Sequence, residues 1–327
     1  MQTMKTFRKV GMAIVAVLLC GSMAACSEDD EDGDGGGTGI ENVTLAAPDY
    51  EEHAALYELD GNGEWQSIEL TASGNYIITE NFYYSASKML KPELSKESPI
   101  GRSLKMLNNG VRPTRSSYNG IIYGTYTVNE DGTYVLEGFG TIELVGLEEN
   151  AVSLVVTTPD GVETTMTAEK KTQAPQSAIT NALCRTWKVK GFRMVIKFNG
   201  KKMLDETGYI DNLEDFVNRI SDKVGEDLTV EDVFGEVLPE EVVFTKAGTY
   251  MVSYDNQMLA VSTWAWENMS TGLLRYSWNY DDMYDEEMAG TAWVSFKNND
   301  LYLNETYKET EDGDTYEEQA ITILSAK

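Results

Sequence analysis

The sequence predicts a mainly β protein: two antiparallel β domains of barrel or sandwich type, the second carrying a helical insertion. Three observations predict it. From about Leu45 onward, runs of Tyr, Val, Ile, Thr and Trp are cut at short intervals by Gly, Asn and Asp turns. Strands and helices do not alternate in the way that builds βαβ units and a parallel sheet. Third, a pattern in the first half returns in the second. Ile68-Glu69-Leu70-Thr71-Ala72-Ser73-Gly74-Asn75-Tyr76-Ile77-Ile78 matches Val242-Val243-Phe244-Thr245-Lys246-Ala247-Gly248-Thr249-Tyr250-Met251-Val252, each a strand, a glycine turn and a tyrosine that opens the next strand. Gly140-Thr141-Ile142-Glu143-Leu144 matches Gly290-Thr291-Ala292-Trp293-Val294 in the same way. Each is followed by a further strand pair, 152–156 with 163–168 and 301–307 with 319–324.

The chain divides accordingly into a leader (1–25), a tether (26–46), a first β domain (47–172) and a second (173–327). The two meet near Thr172-Gln173-Ala174-Pro175-Gln176-Ser177. The leader has a positive start at Lys5, Arg8 and Lys9, an apolar stretch from Val10 to Cys20, and the small pair Ala24-Ala25. That is a processing segment, too short to span a bilayer as a stable helix. Met23-Ala24-Ala25-Cys26 resembles the lipobox of bacterial lipoproteins, with Met23 where that family usually has Leu. The resemblance implies that Cys26 is lipidated and becomes the mature N-terminus, so that the membrane partner is reached through its lipid. No later segment is apolar enough to span.

Residues 27–39 contain no apolar side chain and are dominated by Gly and Asp. Such a segment does not pack, and a glycine-rich coil of its length reaches about 20 Å. Its cluster Glu28-Asp29-Asp30-Glu31-Asp32 resembles the export signal of Bacteroidetes surface lipoproteins, which implies placement on the outer membrane, facing out of the cell.

Charge and cysteine content narrow the chemistry. The formal charge is −28, and loss of the leader removes three further positives to give −31. A balance this acidic excludes nucleic acid as a partner and close contact with anionic lipid. Of three cysteines, Cys20 leaves with the leader and Cys26 carries lipid, so Cys184 alone remains. That rules out an intramolecular disulfide and a thiolate zinc cluster, and the single histidine, His53, rules out a multi-histidine metal site.

Within the first domain, residues 88–115 invert the charge. Lys88, Lys91, Lys96, Arg102, Lys105, Arg112 and Arg115 face only Glu93 and Glu97 in a segment broken by Pro92, Pro99 and Pro113. It reads as a long basic loop that docks on the acidic body, meets an anionic glycan or stays mobile.

The insertion at 209–236 is the one clear helix signal. Leu213, Phe216, Val217, Ile220 and Val224 share a face at helical spacing. Asp211 is placed to cap the start with Glu214 three residues on, Arg219 and Lys223 suit the last turn, and Gly225 ends it. A shorter helix follows from Thr229 to Phe234. The apolar stripe needs a surface to cover, most simply the open end or side of a barrel.

The second half resembles the lipocalin-like domains of Bacteroidetes lipoproteins. The family's Leu-x-Gly-x-Trp strand corresponds to Leu183-Cys184-Arg185-Thr186-Trp187, with Arg185 in place of the glycine. Its apolar-Thr-Phe, Asp-Gly-Thr-Tyr hairpin corresponds to Val243-Phe244-Thr245-Lys246-Ala247-Gly248-Thr249-Tyr250, with Ala247 in place of Asp, and its Gly-Thr-x-Trp strand to Gly290-Thr291-Ala292-Trp293. The resemblance implies a small up-and-down barrel and supplies no catalytic residues.

Tyr276, Trp278 and Tyr280 alternate with Arg275, Ser277 and Asn279 on one strand face, and Trp264 and Trp266 do so on the strand before. Such faces stack on sugar rings, enclose an apolar ligand, or simply form the core of a half-buried strand. Asp281-Asp282-Met283-Tyr284-Asp285-Glu286-Glu287 offers oxygen ligands without the Asp-x-Asp-x-Asp-Gly spacing of a calcium loop, and reads as a solvated tip. A triad would have to use His53, which reads as a surface residue beside Glu51 and Glu52. No Gly-rich phosphate loop precedes a helix, and Cys184 reads as a small buried hydrophobe. The expectation is a non-enzymatic surface lipoprotein without cofactor or metal, binding a glycan, an apolar small molecule or an envelope protein. The alternative is a structural adhesin or complex subunit that joins partners by edge-strand addition.

Overall fold

The computed structural model describes residues 45–60, 65–80, 117–118, 120–146, 151–171, 173–225, 227–234, 238–254, 259–277, 289–311 and 313–327. The leader, Cys26, all but the last two residues of the tether, the basic loop at 88–115, Trp278, Tyr280 and the acidic segment 281–287 lie outside them.

The first unit runs through β1 (Ala55–Leu59), β2 (Trp65–Leu70), β3 (Asn75–Glu80), β4 (Ser117–Tyr118), β5 (Ile121–Val128), β6 (Tyr134–Leu136), β7 (Gly140–Val145), β8 (Ala151–Thr157) and β9 (Glu163–Lys170). Every pairing is antiparallel, and β9 returns to β1 through Tyr57↔Lys170 and Leu59↔Ala168. With β3 paired to β5, eight strands close into a barrel and β4 is attached to β5 alone. The expected "barrel or sandwich" resolves to a barrel.

Period-two alternation decides what fills it. In β8, Val152, Leu154 and Val156 are buried while Ser153 and Val155 are half-exposed. Ile68, Leu70, Ile78, Leu136, Ile142 and Leu154 meet in the middle with Tyr76 and Tyr126. The tyrosine hydroxyls are spent on the protein itself: Tyr76 donates to the Glu137 carbonyl at 2.7 Å, and Tyr126 to that of Thr71 at 2.9 Å. His53 ends a 3-10 turn (Glu51–His53) below the barrel, half-buried, with Nδ1 3.3 Å from the Tyr134 hydroxyl.

The second unit opens with α1 (Ala178–Leu183), whose first turn Ser177 caps through the Thr180 amide at 3.1 Å. It continues through β10 (Thr186–Phe198), β11 (Lys201–Tyr209), α2 (Leu213–Val224), α3 (Val230–Phe234), β12 (Pro239–Phe244), β13 (Thr249–Tyr254), β14 (Leu259–Asn268), β15 (Leu273–Ser277), β16 (Ala289–Lys297), β17 (Asp300–Glu311) and β18 (Asp314–Ala326). β18 pairs with β10 from Trp187↔Ala326 to Phe198↔Tyr316, so this barrel also closes on eight strands, with β11 as an extra strand on β10. Among the described strands only β4 and β11 have one partner each, so these two are the open edges among them.

The repeat is visible bond by bond. In the β2–β3 turn Gly74 N donates to Thr71 O, Asn75 N to Thr71 Oγ1, and Gly74 O accepts from Tyr126 N. In the β12–β13 turn Gly248 N donates to Thr245 O, Thr249 N to Thr245 Oγ1, and Gly248 O accepts from Trp264 N. Both glycines sit at positive φ, 77° and 91°, where a side chain is strained.

The barrels join through the outer faces of these same hairpins. Ile77 and Ile121 of one meet Val243, Met251 and Leu259 of the other. Polar bonds cross beside them: Thr186 Oγ1 donates to Asn75 Oδ1 and Thr186 N to Ser73 Oγ, both at 2.9 Å. Glu69, 2% exposed, faces Thr245 and Thr249; burial pushes its carboxyl up to about 7 despite those two hydroxyls. Lys246 is buried at the same junction and pairs with Glu51. Cys184 lies against it as a buried thiol, its pKa pushed up by burial.

α2 lays Leu213, Phe216, Val217, Ile220 and Val224 against Met194, Ile196 and Leu204 of β10 and β11. Its start differs from the sequence expectation. A 3-10 turn (Ile210–Asn212) leads in, so Asp211 sits inside that turn, one residue too early to cap; Asn212 is the cap residue and makes no side-chain cap bond. Gly225 ends the helix at φ 77°. Arg219 and Lys223 reach across to Glu206 on β11 at 2.8 and 2.7 Å. α3 begins on a reciprocal cap: Asp232 N donates to Thr229 Oγ1 at 3.1 Å, and Thr229 N to Asp232 Oδ2 at 2.8 Å.

Candidate functional site

The interior of the second barrel is built from facing registers. Residues opposite one another in paired strands share a face. Leu301 stands opposite Phe296 and Leu324, and Leu303 opposite Val294 and Thr322. All of these point inward. Continuing by two along β17 and β18 brings Glu305 beside Ala320 and Tyr307 beside Glu318 on the same inner wall. β10 contributes Val189, Phe192, Met194 and Ile196, opposite Leu324, Thr322, Ala320 and Glu318.

Tryptophans form the floor. Trp187 is wholly buried and donates Nε1 to the Leu183 carbonyl at 2.9 Å, which ties β10 to α1. Trp264, 2% exposed, donates to the Thr245 carbonyl at 3.0 Å, and Trp266 to Thr180 Oγ1 at 2.9 Å. Their rings meet edge to face at 5.5 Å, and Phe244 packs against Trp264 at 5.8 Å. Of the five aromatic residues singled out in the sequence, Trp264, Trp266 and Tyr276 come together inside this barrel. Trp264 and Trp266 serve as packing at its closed end, with both indole N–H groups already committed. Trp278 and Tyr280 lie outside the described residues.

Above the floor the lining turns polar. Tyr276 donates to Glu305 Oε1 at 3.0 Å. Tyr250 stands between Phe244, stacked at 4.9 Å, and Tyr276 at 5.8 Å. Tyr254 is 1% exposed, and its hydroxyl has no hydrogen-bond partner among the described residues. Higher still, Tyr316 donates to Glu318 Oε2 at 2.8 Å. Burial raises the Glu305 carboxyl above its ordinary range, partly offset by the Tyr276 hydroxyl. It pushes Glu318 up to about 7, partly offset by Tyr316. The phenols of Tyr250 and Tyr276 are raised well above 10 by burial and by the nearby Glu305.

Glu305 lies deep enough for burial to raise its carboxyl and still keeps accessible surface. Phe192, Tyr307, Ala320 and Thr322, all inward by register, are also only half-buried. These half-buried side chains share the upper inner wall, where Phe192 packs against Phe234 of α3 at 4.6 Å and Tyr316 lies in the cluster under α2 and α3. None of Glu305, Glu318, Tyr250 or Tyr254 was singled out in the sequence. The signal that could have found Glu305 is the alternation Leu301, Leu303, Glu305.

The other candidates do not assemble. His53 contacts Tyr134 and Glu52, with no nucleophile beside it. A narrow cleft of about 10 Å³ between the barrels, lined by Glu69, Cys184, Thr245 and Lys246, has room for about one water. Among the described residues no group of three or more His, Cys, Asp or Glu is placed to hold a metal, and no helix is long and apolar enough to cross a membrane.

Fold and interior together define a tandem eight-stranded barrel protein whose second unit alone carries carboxyls on the described inner wall. No protein-family model matches the chain, and no curated protein matches it. Among solved structures it is similar to the crystal structure of a protein of unknown function from the DUF3598 family of Nostoc punctiforme. The two share 9% identity at a TM-score of 0.18, over 84% of this chain and 94% of the other.

Proposed function

We propose that this chain is a lipid-anchored, non-enzymatic binding protein whose second barrel takes a small molecule into its upper interior. One observation carries the reading: an inner wall that sets the carboxyls Glu305 and Glu318 among tyrosines, with Glu305 keeping accessible surface, in a barrel whose neighbour of the same topology has no carboxyl in its core cluster. Natural cores seldom leave a buried hydroxyl such as that of Tyr254 without a partner unless something else supplies one. The pattern of residues 1–39 supports the anchor at Cys26 and a place on the outer membrane, facing out of the cell. The tether then holds an acidic body away from a negative surface.

The test uses the full-length protein and N-phenyl-1-naphthylamine, a neutral apolar probe whose fluorescence rises on binding. Saturable binding is expected. Ala320→Phe, which fills the space beside Glu305, should abolish it while leaving thermal stability close to that of the parent. Absence of binding, or an Ala320→Phe protein that is destabilised by about 1–3 kcal/mol as an overpacked core would be, overturns the chamber. Intact mass of the membrane-extracted protein tests the anchor separately, and a leader-free chain with an unmodified Cys26 would sink that part alone.

A further inference from the structure

We propose that the ligand of this chamber is a small organic cation, an amine on an aromatic or aliphatic body, with its nitrogen received by Glu305. The inference rests on the chamber reading above and names the class of molecule that would enter.

The lining has one sign. Glu305 and Glu318 sit on neighbouring strands, offset by a single inward step. Among the described residues no basic side chain of this barrel's wall turns inward. Arg193 is bonded to Asp205, Lys197 to Glu317, Lys190 to Asp300 and Arg275 to Glu267, all on the outer surface. An anionic ligand such as a fatty acid would enter against two carboxyls with no counter-charge. A purely apolar one would leave Glu305 with Tyr276 as its one hydrogen-bond partner and the Tyr254 hydroxyl buried with none, which costs more than an apolar contact returns. A cation reverses both penalties. It makes a charge-assisted bond to Glu305, already oriented by Tyr276 at 3.0 Å. Tyr254 belongs to the same cluster through Tyr250, and its hydroxyl is free to accept a bond. The walls suit the same ligand: the ring faces of Tyr250, Tyr276 and Phe192 attract positive charge and pack against an apolar body.

The test is competition on the full-length protein. N-phenyl-1-naphthylamine is displaced at pH 8 by phenethylamine or by 2-phenylethanol, which differ in the charged nitrogen and little else. Phenethylamine should compete about tenfold better or more, the equivalent of one charge-assisted hydrogen bond. Glu305→Gln should bring the two within about twofold. Equal competition by the two compounds on the parent protein overturns the proposal even if Glu305→Gln fails to fold, and so does a preference that survives both Glu305→Gln and Glu318→Gln. Probe binding without amine preference sinks this inference and leaves the chamber standing. No probe binding sinks both.

Discussion

Position for position, Leu136 and Val156 of the first barrel stand where Tyr276 and Glu305 stand in the second. The registers fix this: Leu136 lies opposite Tyr126 and Gly140, and Tyr276 opposite Trp264 and Gly290. Val156 faces Ile142 as Glu305 faces the position of Ala292, one step beyond the last paired rung. The backbones agree down to the turn hydrogen bonds, yet one core cluster holds tyrosines but no carboxyl, and the other interior carries Glu305 and Glu318. Turn chemistry and closure therefore set the barrel, and a few inward positions set what it can hold. The first barrel packs aliphatic side chains around tyrosines such as Tyr76 and Tyr126, whose hydroxyls are bonded to backbone carbonyls, and so has a robust core. The second keeps groups that a stable core would do better without, the usual mark of a site.

Exchanging residues between the barrels tests that contrast, and the largest effect should come from Val156→Glu. A carboxylate forced among Leu136, Ile142 and Leu154 has neither a hydroxyl partner nor space, and equilibrium unfolding should show a loss of about 3–5 kcal/mol. A loss below 1 kcal/mol would mean that the first interior is also open.

pH should separate the barrels next. Glu69 and Glu318 hold their protons in the folded protein up to about 7, whereas an unfolded glutamate releases its proton near 4.5. Between those values the folded state binds more protons than the unfolded state. Stability is therefore full below about pH 4.5 and falls as pH rises through 7, by roughly 3 kcal/mol at most per carboxyl. Denaturation midpoints from pH 4.5 to 8 should show the decline, and Glu318→Gln should remove the part that Glu318 contributes. A flat profile would contradict the burial of both groups.

Two glycines give a finer comparison. A Cβ at Gly124 would lie 2.7 Å from the Tyr76 ring, and one at Gly290 2.5 Å from the Tyr276 ring. Tyr76 is fixed by the Glu137 carbonyl in a packed interior, while Tyr276 is bonded to Glu305, which keeps accessible surface. Gly124→Ala should cost about 1–3 kcal/mol by melting, and Gly290→Ala clearly less. Smallest of all should be the double change Tyr276→Phe with Glu305→Val, which moves the second barrel towards the first one's solution. It is expected to leave stability unchanged or up to about 2 kcal/mol higher while ligand is lost.

Much of this architecture was legible in the residues. Thr71-x-x-Gly74 and Thr245-x-x-Gly248 announce the two matching hairpins, because each threonine hydroxyl accepts from a turn amide and each glycine takes a positive φ that a side chain would strain. The stripe from Leu213 to Val224 reads directly because helix periodicity needs no partner to be seen. Its cap does not, since the preceding 3-10 turn shifts the start by one residue. Inward aromatic faces at Trp264, Trp266 and Tyr276 were recognisable, but whether they form floor or wall depends on register across strands distant in sequence. Glu305 was hidden by its neighbours: Asn304-Glu305-Thr306-Tyr307-Lys308-Glu309 reads as a solvated hairpin arm unless the phase set by Leu301 and Leu303 is carried through it. The inter-barrel junction left only a faint trace, the adjacent buried pairs Ile77-Ile78 and Met251-Val252, where a strand wet on one face would alternate.

The closing seam of the second barrel sets an order of events during synthesis. β18 supplies the partner of almost the whole of β10 and also of β17. The first barrel holds every strand it needs once Lys170 has been made, and it can fold behind the emerging chain. The second must wait through more than a hundred further residues with β10 lacking its main neighbour, so a polypeptide halted at residue 313 would carry one finished cylinder and one open, adhesive sheet.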